Sequence, residues 1–212
     1  GLNPWLASGS LNNTFLSAFS SNSISYSKGL GPVNVSVLYA LGGQVGNSSN
    51  DSTVSLGVTY GGPFTLSGSY MRENQLAAST KGVEKYSLGV GVPVGAATIK
   101  ANYLVGKQFN AAGVEVNTLK MPGIGLDYKT SDKNTINVSY YSGRNTRVAD
   151  DKANNWILSD EYAWAPNTTL YIQAAFIDAK AGADAMVSVL GNTSLVQNAR
   201  TTVVNGGVRW NF

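Results

Sequence analysis

The 212-residue sequence contains neither cysteine nor histidine. Without cysteine there is no disulfide framework and no thiolate nucleophile, and without histidine the commonest general base and metal ligand is missing. Only 13% of the residues are charged, against about 25% in an average soluble domain. These absences argue against a disulfide scaffold, a metal site and an enzyme with the usual nucleophile–base pair, so we expect no catalytic residues and no cofactor.

Two further features are missing. No run of about 18 consecutive apolar residues occurs, so the sequence predicts no transmembrane helix. The 15 lysines and arginines are scattered, and the formal net charge is only +3. Because nucleic-acid-binding proteins concentrate their basic residues in patches or stripes, we expect no nucleic-acid partner.

The residues that are abundant favour β-structure. The chain has 24 glycines and 11 tyrosines, with many Ser, Thr and Asn residues. From Val33 to Leu41 the odd positions are apolar, whereas the even positions begin with Asn34 and Ser36. This period-2 alternation is typical of strands and recurs along the chain. It predicts eleven strands, near 21–29, 33–42, 52–60, 64–73, 83–92, 96–107, 121–130, 135–143, 154–165, 168–178 and 200–212.

The predicted connections alternate in length. Short turns fall near 29–32, 61–63, 93–95, 131–134 and 166–167, and long polar loops near 43–51, 74–82, 108–120, 144–153 and 179–199. A ten-residue strand tilted by about 45° spans roughly 24 Å, the height of the apolar band of an outer-membrane barrel. The pattern therefore predicts an all-β, antiparallel transmembrane barrel with short periplasmic turns and long extracellular loops. An odd strand number also suggests that strands precede Gly1, because bacterial barrels have even numbers.

The two predicted faces differ in chemistry. Aromatic residues cluster near strand ends on the apolar face, as in the aromatic belts of membrane proteins. The other face is polar but mostly uncharged, which suits a water-filled lumen. Alternation places six charged residues on it as candidate pore-lining residues: Lys85, Lys100, Asp127, Lys129, Glu161 and Arg209. Four positive charges against two negative suggest a mild anion preference, although the same residues could be solvated charges with no individual role.

Asp160 breaks the pattern, because it falls on the apolar parity of its strand. A charge facing lipid is costly, so either a β-bulge shifts the register there or Asp160 lies at a subunit interface.

The C-terminal segment VNGGVRWNF alternates from Val204 to a terminal Phe212. It resembles the signature by which the barrel-assembly machinery recognises outer-membrane barrels. That resemblance implies an assembly signal formed by Val208, Trp210 and Phe212.

Two longer segments resemble the Gram-negative porin family of Neisseria and Burkholderia type: NSISYSKGLGPVNVSVLYALG at 22–42 and DEYAWAPNTTLYIQAAF at 160–176. The resemblance implies a 16-stranded homotrimeric porin of the Gram-negative outer membrane. Such a protein is a water-filled channel for passive diffusion of small hydrophilic solutes and ions. It implies that residues 1–20 end the pore constriction loop and that residues 21–212 form barrel strands. Outer-membrane lipid and the barrel-assembly machinery are then the expected partners.

The resemblance has two departures. The turn at 165–167 lacks the basic residues usual in the family, and residues 1–20 contain no charged residue. We therefore do not extend to this protein the transverse electric field that charged residues create in the constriction of other family members. A structural or adhesive barrel acting through its outer loops is the alternative function, and a barrel lipase or a soluble sandwich is a weaker one.

Overall fold

The computed structural model describes residues 22–43, 45–75, 80–147, 152–180 and 198–211. The predicted constriction-loop segment 1–20 and Phe212 lie outside these ranges. Eleven strands form one antiparallel sheet in sequence order. They are β1 (Ser23–Leu30), β2 (Val33–Ala40), β3 (Thr53–Gly61), β4 (Thr65–Asn74), β5 (Lys81–Val94), β6 (Ala97–Phe109), β7 (Glu115–Lys129), β8 (Asn134–Asn145), β9 (Lys152–Ala165), β10 (Thr168–Lys180) and β11 (Arg200–Trp210). The predicted all-β fold and the number of strands are confirmed.

The sheet is a chain of hairpins, because every strand pairs with its sequence neighbours. Short turns join the strands at one edge, and two of them contain a glycine in the left-handed region, Gly31 with φ 62° and Gly95 with φ 60°. Only glycine adopts this conformation without a steric penalty. We call this edge the turn side and the other edge the loop side. Within the described residues β1 and β11 do not pair with each other, so the sheet is open. The described residues contain no helix that is long and apolar enough to cross a membrane.

The predicted long loop near 108–120 was wrong. Strand β6 continues to Phe109 and β7 begins at Glu115, so only five residues separate them. The side-chain oxygen of Asn110 accepts hydrogen bonds from the backbone N–H groups of Ala112 and Val114, both at 3.0 Å, and this closes the turn. The polar residues after Val114 resemble a loop in the sequence, but they extend the hairpin by pairing across the two strands.

Every second residue of each strand points to the same side of the sheet. One of the two sides is an apolar face, which carries the exposed large hydrophobic side chains. Ile24, Leu56, Leu88, Ile124, Trp156 and Ile172 are each more than 40% exposed. Asp160 lies on this face between Ile136 and Ile172, in regular register with β8 and β10. The nearest register shift follows it, at the Thr168–Thr169 step opposite 163–165. The bulge explanation for Asp160 was therefore wrong, and the subunit-interface explanation stays a prediction.

The face on the other side of the sheet, which we call the opposite face, is not polar throughout. On the loop side of β7 to β10 it carries a buried cluster, the inner cluster, formed by Leu119, Met121, Tyr141, Ala153, Ile157, Ala175, Ile177 and Ala179. Asn155 is fully buried among these strands. The expectation of a uniformly polar face was wrong here, because alternation predicts which face a residue takes but not which residues pack together on it.

Candidate functional site

The charged residues predicted to line a pore all lie on the opposite face, and five of the six lie near its turn side. Lys100 on β6 pairs in register with Gly125 on β7, which has no side chain. The lysine side chain therefore extends diagonally across to Asp127, also on β7. The two side chains form an ion pair and are each about one-fifth exposed, 18% for Lys100 and 21% for Asp127. The absence of a side chain at Gly125 thus allows this pair to form.

Arg209 and Glu161 form a second ion pair, which bridges two strands that are not neighbours. They lie on β11 and β9, with β10 between them, and Nη2 of Arg209 donates to Oε2 of Glu161 at 2.8 Å. The arginine side chain is 54% exposed. A pair this exposed contributes little to stability, about 0–1 kcal/mol, so its main effect is to fix the positions of two opposite charges.

A polar cleft of about 370 Å³ brings three of the predicted residues together at the turn side. Asp127, Lys129 and Glu161 line it, together with Asp132 and Lys133 of the β7–β8 turn. The sequence analysis missed Asp132 and Lys133 because they fall in a turn, where the alternation carries no information about direction. The cleft holds carboxylates and ammonium groups side by side, which suits transient contacts with hydrated ions of either sign.

Lys85 is separate from the other five. It lies toward the loop side of β5, between Met71 of β4 and Gly106 of β6. The structure therefore splits the predicted lining into a turn-side group and one distant lysine.

A third charged group, at the loop end of the β6–β7 hairpin, was missed because it falls in the segment predicted as a loop. Glu115 contacts Lys107 at 3.3 Å and Arg147 at 2.9 Å, and Thr118 donates a hydrogen bond to it. The hydrogen bonds from Thr118 and Arg147, with a smaller contribution from Lys107, hold the pKa of Glu115 at about 2. Glu115 therefore stays ionised across the physiological pH range.

The predicted assembly signal lies on β11, the last of the described strands. Val208 pairs with Leu170 and Trp210 with Thr168, and the side chains of Val208 and Trp210 are both 63% exposed on the apolar face. Phe212, the third residue, falls outside the described residues. In the described ranges no three acidic side chains come close enough together to hold a metal ion.

Comparison with known proteins identifies this arrangement. A family model described as Gram-negative porin matches residues 2–182. A search of curated proteins finds no match.

Among solved structures, an anion-selective porin from Comamonas acidovorans superposes with a TM-score of 0.75 at 20% identity, covering 91% of this chain and 60% of that protein. OmpT, an outer membrane protein of Vibrio cholerae in trimer form, has a TM-score of 0.69 at 15% identity. The match covers 93% of this chain and 67% of OmpT. Salmonella typhi OmpF, in complex with daunomycin, has a TM-score of 0.59 at 11% identity over 89% of this chain and 61% of that one. At these identities the structures share a fold, and this chain spans about three-fifths of the length of the Comamonas protein.

Proposed function

The chain belongs to the Gram-negative porin family, and from that membership we propose that the protein forms a water-filled channel for passive diffusion of small hydrophilic solutes and ions. Porins of this family lie in the outer membrane, which is the location of this protein. The channel itself is a proposal for the whole protein, because the chain spans only part of the length of the similar porin structure.

The observation that carries the proposal is the chemistry of the two faces. Soluble monomers rarely expose a contiguous apolar patch larger than a few hundred Å², yet here the exposed hydrophobic residues extend over all eleven strands. Lipid is the solvent that suits such a face. The charged groups at the turn side of the opposite face require water, which a lumen supplies.

We infer that Lys85, Lys100, Asp127, Lys129, Glu161 and Arg209 line this lumen. The ion pairs Lys100–Asp127 and Arg209–Glu161 support the inference, because both lie on the face turned away from lipid. Of these six residues, four form the two ion pairs, in which the charges cancel. The remaining two, Lys85 and Lys129, are positive, which favours a mild preference for anions. The structurally similar Comamonas protein is an anion-selective porin, which agrees with this preference.

We also propose that the protein is a homotrimer without enzymatic activity, inserted by the barrel-assembly machinery through Val208, Trp210 and Phe212. The trimeric form of the Vibrio OmpT supports the first point. The exposure of Val208 and Trp210 on β11 supports the proposed assembly signal, because a recognition signal must be accessible.

Single-channel recording of the purified full-length protein in planar lipid bilayers tests the proposal. Stepwise conductance that is abolished by prior heat denaturation is the expected result, whereas a folded protein that never conducts would refute it. A lipid-hydrolysis assay on the same preparation tests the proposed absence of enzymatic activity and should release no fatty acid. Chemical crosslinking of the native protein should give a trimer.

A further inference from the structure

Four neighbouring strands place a cation at the same level of the apolar face, near the loop side. We call these four residues the basic row: Lys120, Arg144, Lys152 and Lys180. Lys120 pairs in register with Arg144, Arg144 with Lys152, and Lys152 with Lys180. Lys120 and Arg144 are exposed, and the other two are half-buried. The face that meets lipid thus carries an unbroken line of positive charge across β7 to β10.

Among the described residues, the cations of the basic row repel one another. Side chains directly opposite each other on neighbouring strands lie about 5 Å apart, and like charges at such positions are destabilising. Lys180 pairs with Asp178 at 3.3 Å. Within the described residues, Lys120, Arg144 and Lys152 form no ion pair with a carboxylate. An anion seated between these three cations would turn the repulsion into attraction.

The depth of the basic row in the membrane identifies the kind of anion. Four residues toward the turn side lies an aromatic row, formed by Tyr140, Trp156 and Phe176, which pair in register and continue on β7 to the aliphatic Ile124. The rings of Tyr140 and Trp156 lie 4.7 Å apart between centroids. Such rings mark the boundary between hydrocarbon and headgroups. Four residues of a strand tilted by about 45° raise the basic row about 9 Å above this boundary, into the headgroup layer.

A groove extends from the aromatic row toward the basic row, because its lining residues Asn154 and Asp178 lie two residues from Lys152 and Lys180 on the same strands. It has a volume of about 380 Å³ and is lined by Tyr140, Trp156 and Phe176 on its apolar side, with Asn154, Asp178 and Arg200 on its polar side. A groove with an aromatic floor and a charged rim fits a molecule that is apolar at one end and charged at the other.

We propose that the basic row binds the phosphate groups of an anionic lipid in the outer leaflet, with an acyl chain of that lipid in the aromatic groove. The loop side is the extracellular side of a barrel of this family, so the lipid lies in the outer leaflet. Arginine and lysine both bind phosphate well, and the spacing of the row allows one phosphate to contact two cations at once.

The test compares two double variants that lose the same charge. Arg144→Gln/Lys152→Gln removes the centre of the basic row, and Lys28→Gln/Lys133→Gln removes two lysines near the turn side. Fluorescently labelled lipid A, a phosphorylated glycolipid, is titrated into the purified full-length protein in neutral detergent micelles. The first variant should bind about thirtyfold more weakly than the wild type, because each cation contributes about fivefold near an anionic lipid surface. The control should bind as the wild type does.

Two further measurements separate lipid binding from other roles. Without lipid A, the Arg144/Lys152 variant should unfold at the same temperature as the wild type or a higher one, because repulsion has been removed. A lower unfolding temperature, or equal binding by both variants, would overturn the proposal. Dephosphorylated lipid A should bind all variants equally weakly, and inorganic phosphate alone should leave the tryptophan emission unchanged. A saturable response to inorganic phosphate would also contradict a lipid site. The single-channel conductance of the Arg144→Gln/Lys152→Gln variant should be unaffected, so a failure of the lipid proposal leaves the proposed channel standing.

Discussion

The opposite face has two walls of different character. On β2 to β5, the first wall, it carries small hydroxyl residues such as Ser36, Ser67 and Ser87, which are exposed or half-buried. On β7 to β10, the second wall, its loop-side half is the buried inner cluster. The same alternation of residues produced both walls. The period decides which way a side chain faces, and the composition of the neighbouring strands decides whether that side is wet or packed.

Hydroxyl groups of the first wall form hydrogen bonds with neighbouring strands. Ser69 and Ser87 hydrogen-bond to each other at 2.8 Å, and Thr65 donates to the carbonyl of Gly91 at 3.3 Å. Such a surface is wettable but contributes little packing energy. The second wall buries apolar side chains and should supply more of the stability. The comparison therefore predicts that substitutions at equivalent positions have unequal costs.

The largest difference is expected from a charge placed on each wall. Ile157 is 4% exposed within the inner cluster. Ile157→Asp should lower the free energy of unfolding by about 3 kcal/mol or more, because it buries a carboxylate without a partner. Ser67→Asp, on the first wall, should change it by less than about 0.5 kcal/mol. Urea unfolding in detergent measures both, and equal losses would show that the two walls do not differ.

A smaller difference is expected from adding one methyl group. The ring of Tyr141 lies across Gly123, and a Cβ built there would be 2.6 Å from two ring atoms. Gly123→Ala should therefore cost about 1–3 kcal/mol through overpacking. Gly61, on β3 of the first wall, has open space around it, so Gly61→Ala should be neutral or stabilising by up to about 1 kcal/mol. The same unfolding experiment decides the matter, and a harmless Gly123→Ala would mean that the ring moves freely.

The ion pair between Lys100 and Asp127 joins β6 to the second wall, and its prediction concerns ion selectivity. Lys100→Gln should shift the anion-to-cation permeability ratio toward cations by up to about fivefold, since it exposes the charge of Asp127, an effect of roughly 1 kcal/mol. Lys28→Gln, on the apolar face, should leave the ratio unchanged. Reversal potentials under a salt gradient measure both, and an unaltered ratio in the Lys100 variant would place that residue outside the conduction path.

The smallest expected effect concerns pH at the loop end of the second wall. Glu115 lies nine residues before Ile124, which is level with the aromatic row, and therefore well outside the apolar band. Its pKa of about 2 is below the ordinary 4.5, so its contribution to stability is complete above about pH 4.5 and is lost as the pH falls toward 2. Glu115→Gln should flatten the stability profile over this range alone. A variant whose profile follows that of the wild type would show that the Glu115 contacts do not persist in solution.

The sequence predicted the number of strands and the face taken by each candidate lining residue, because both follow from period 2, and it predicted the short turns from their turn chemistry, but it overestimated the length of the β6–β7 connection. It could not predict the Lys100–Asp127 pair, which depends on the missing side chain of Gly125 on a neighbouring strand. It also could not predict the inner cluster, because its members come from four strands and no one strand is uniformly apolar on that side. The basic row was missed as well, because Lys120, Arg144, Lys152 and Lys180 all fall in segments predicted as loops, and only the register of the strands aligns them.

Pro122 interrupts the ladder between β7 and β8. Pairing runs from Leu119 and Lys120 to Asn145 and Arg144, stops at positions 121 and 122, and resumes at Gly123 opposite Tyr141 in the same register. Proline has no N–H to donate, which accounts for the gap. The two parts of this ladder can therefore open separately. Amide hydrogen exchange should be faster on the loop side of the gap than on its turn side. The loop-side rim can then fluctuate on its own timescale while the pairing within the apolar band keeps the wall sealed.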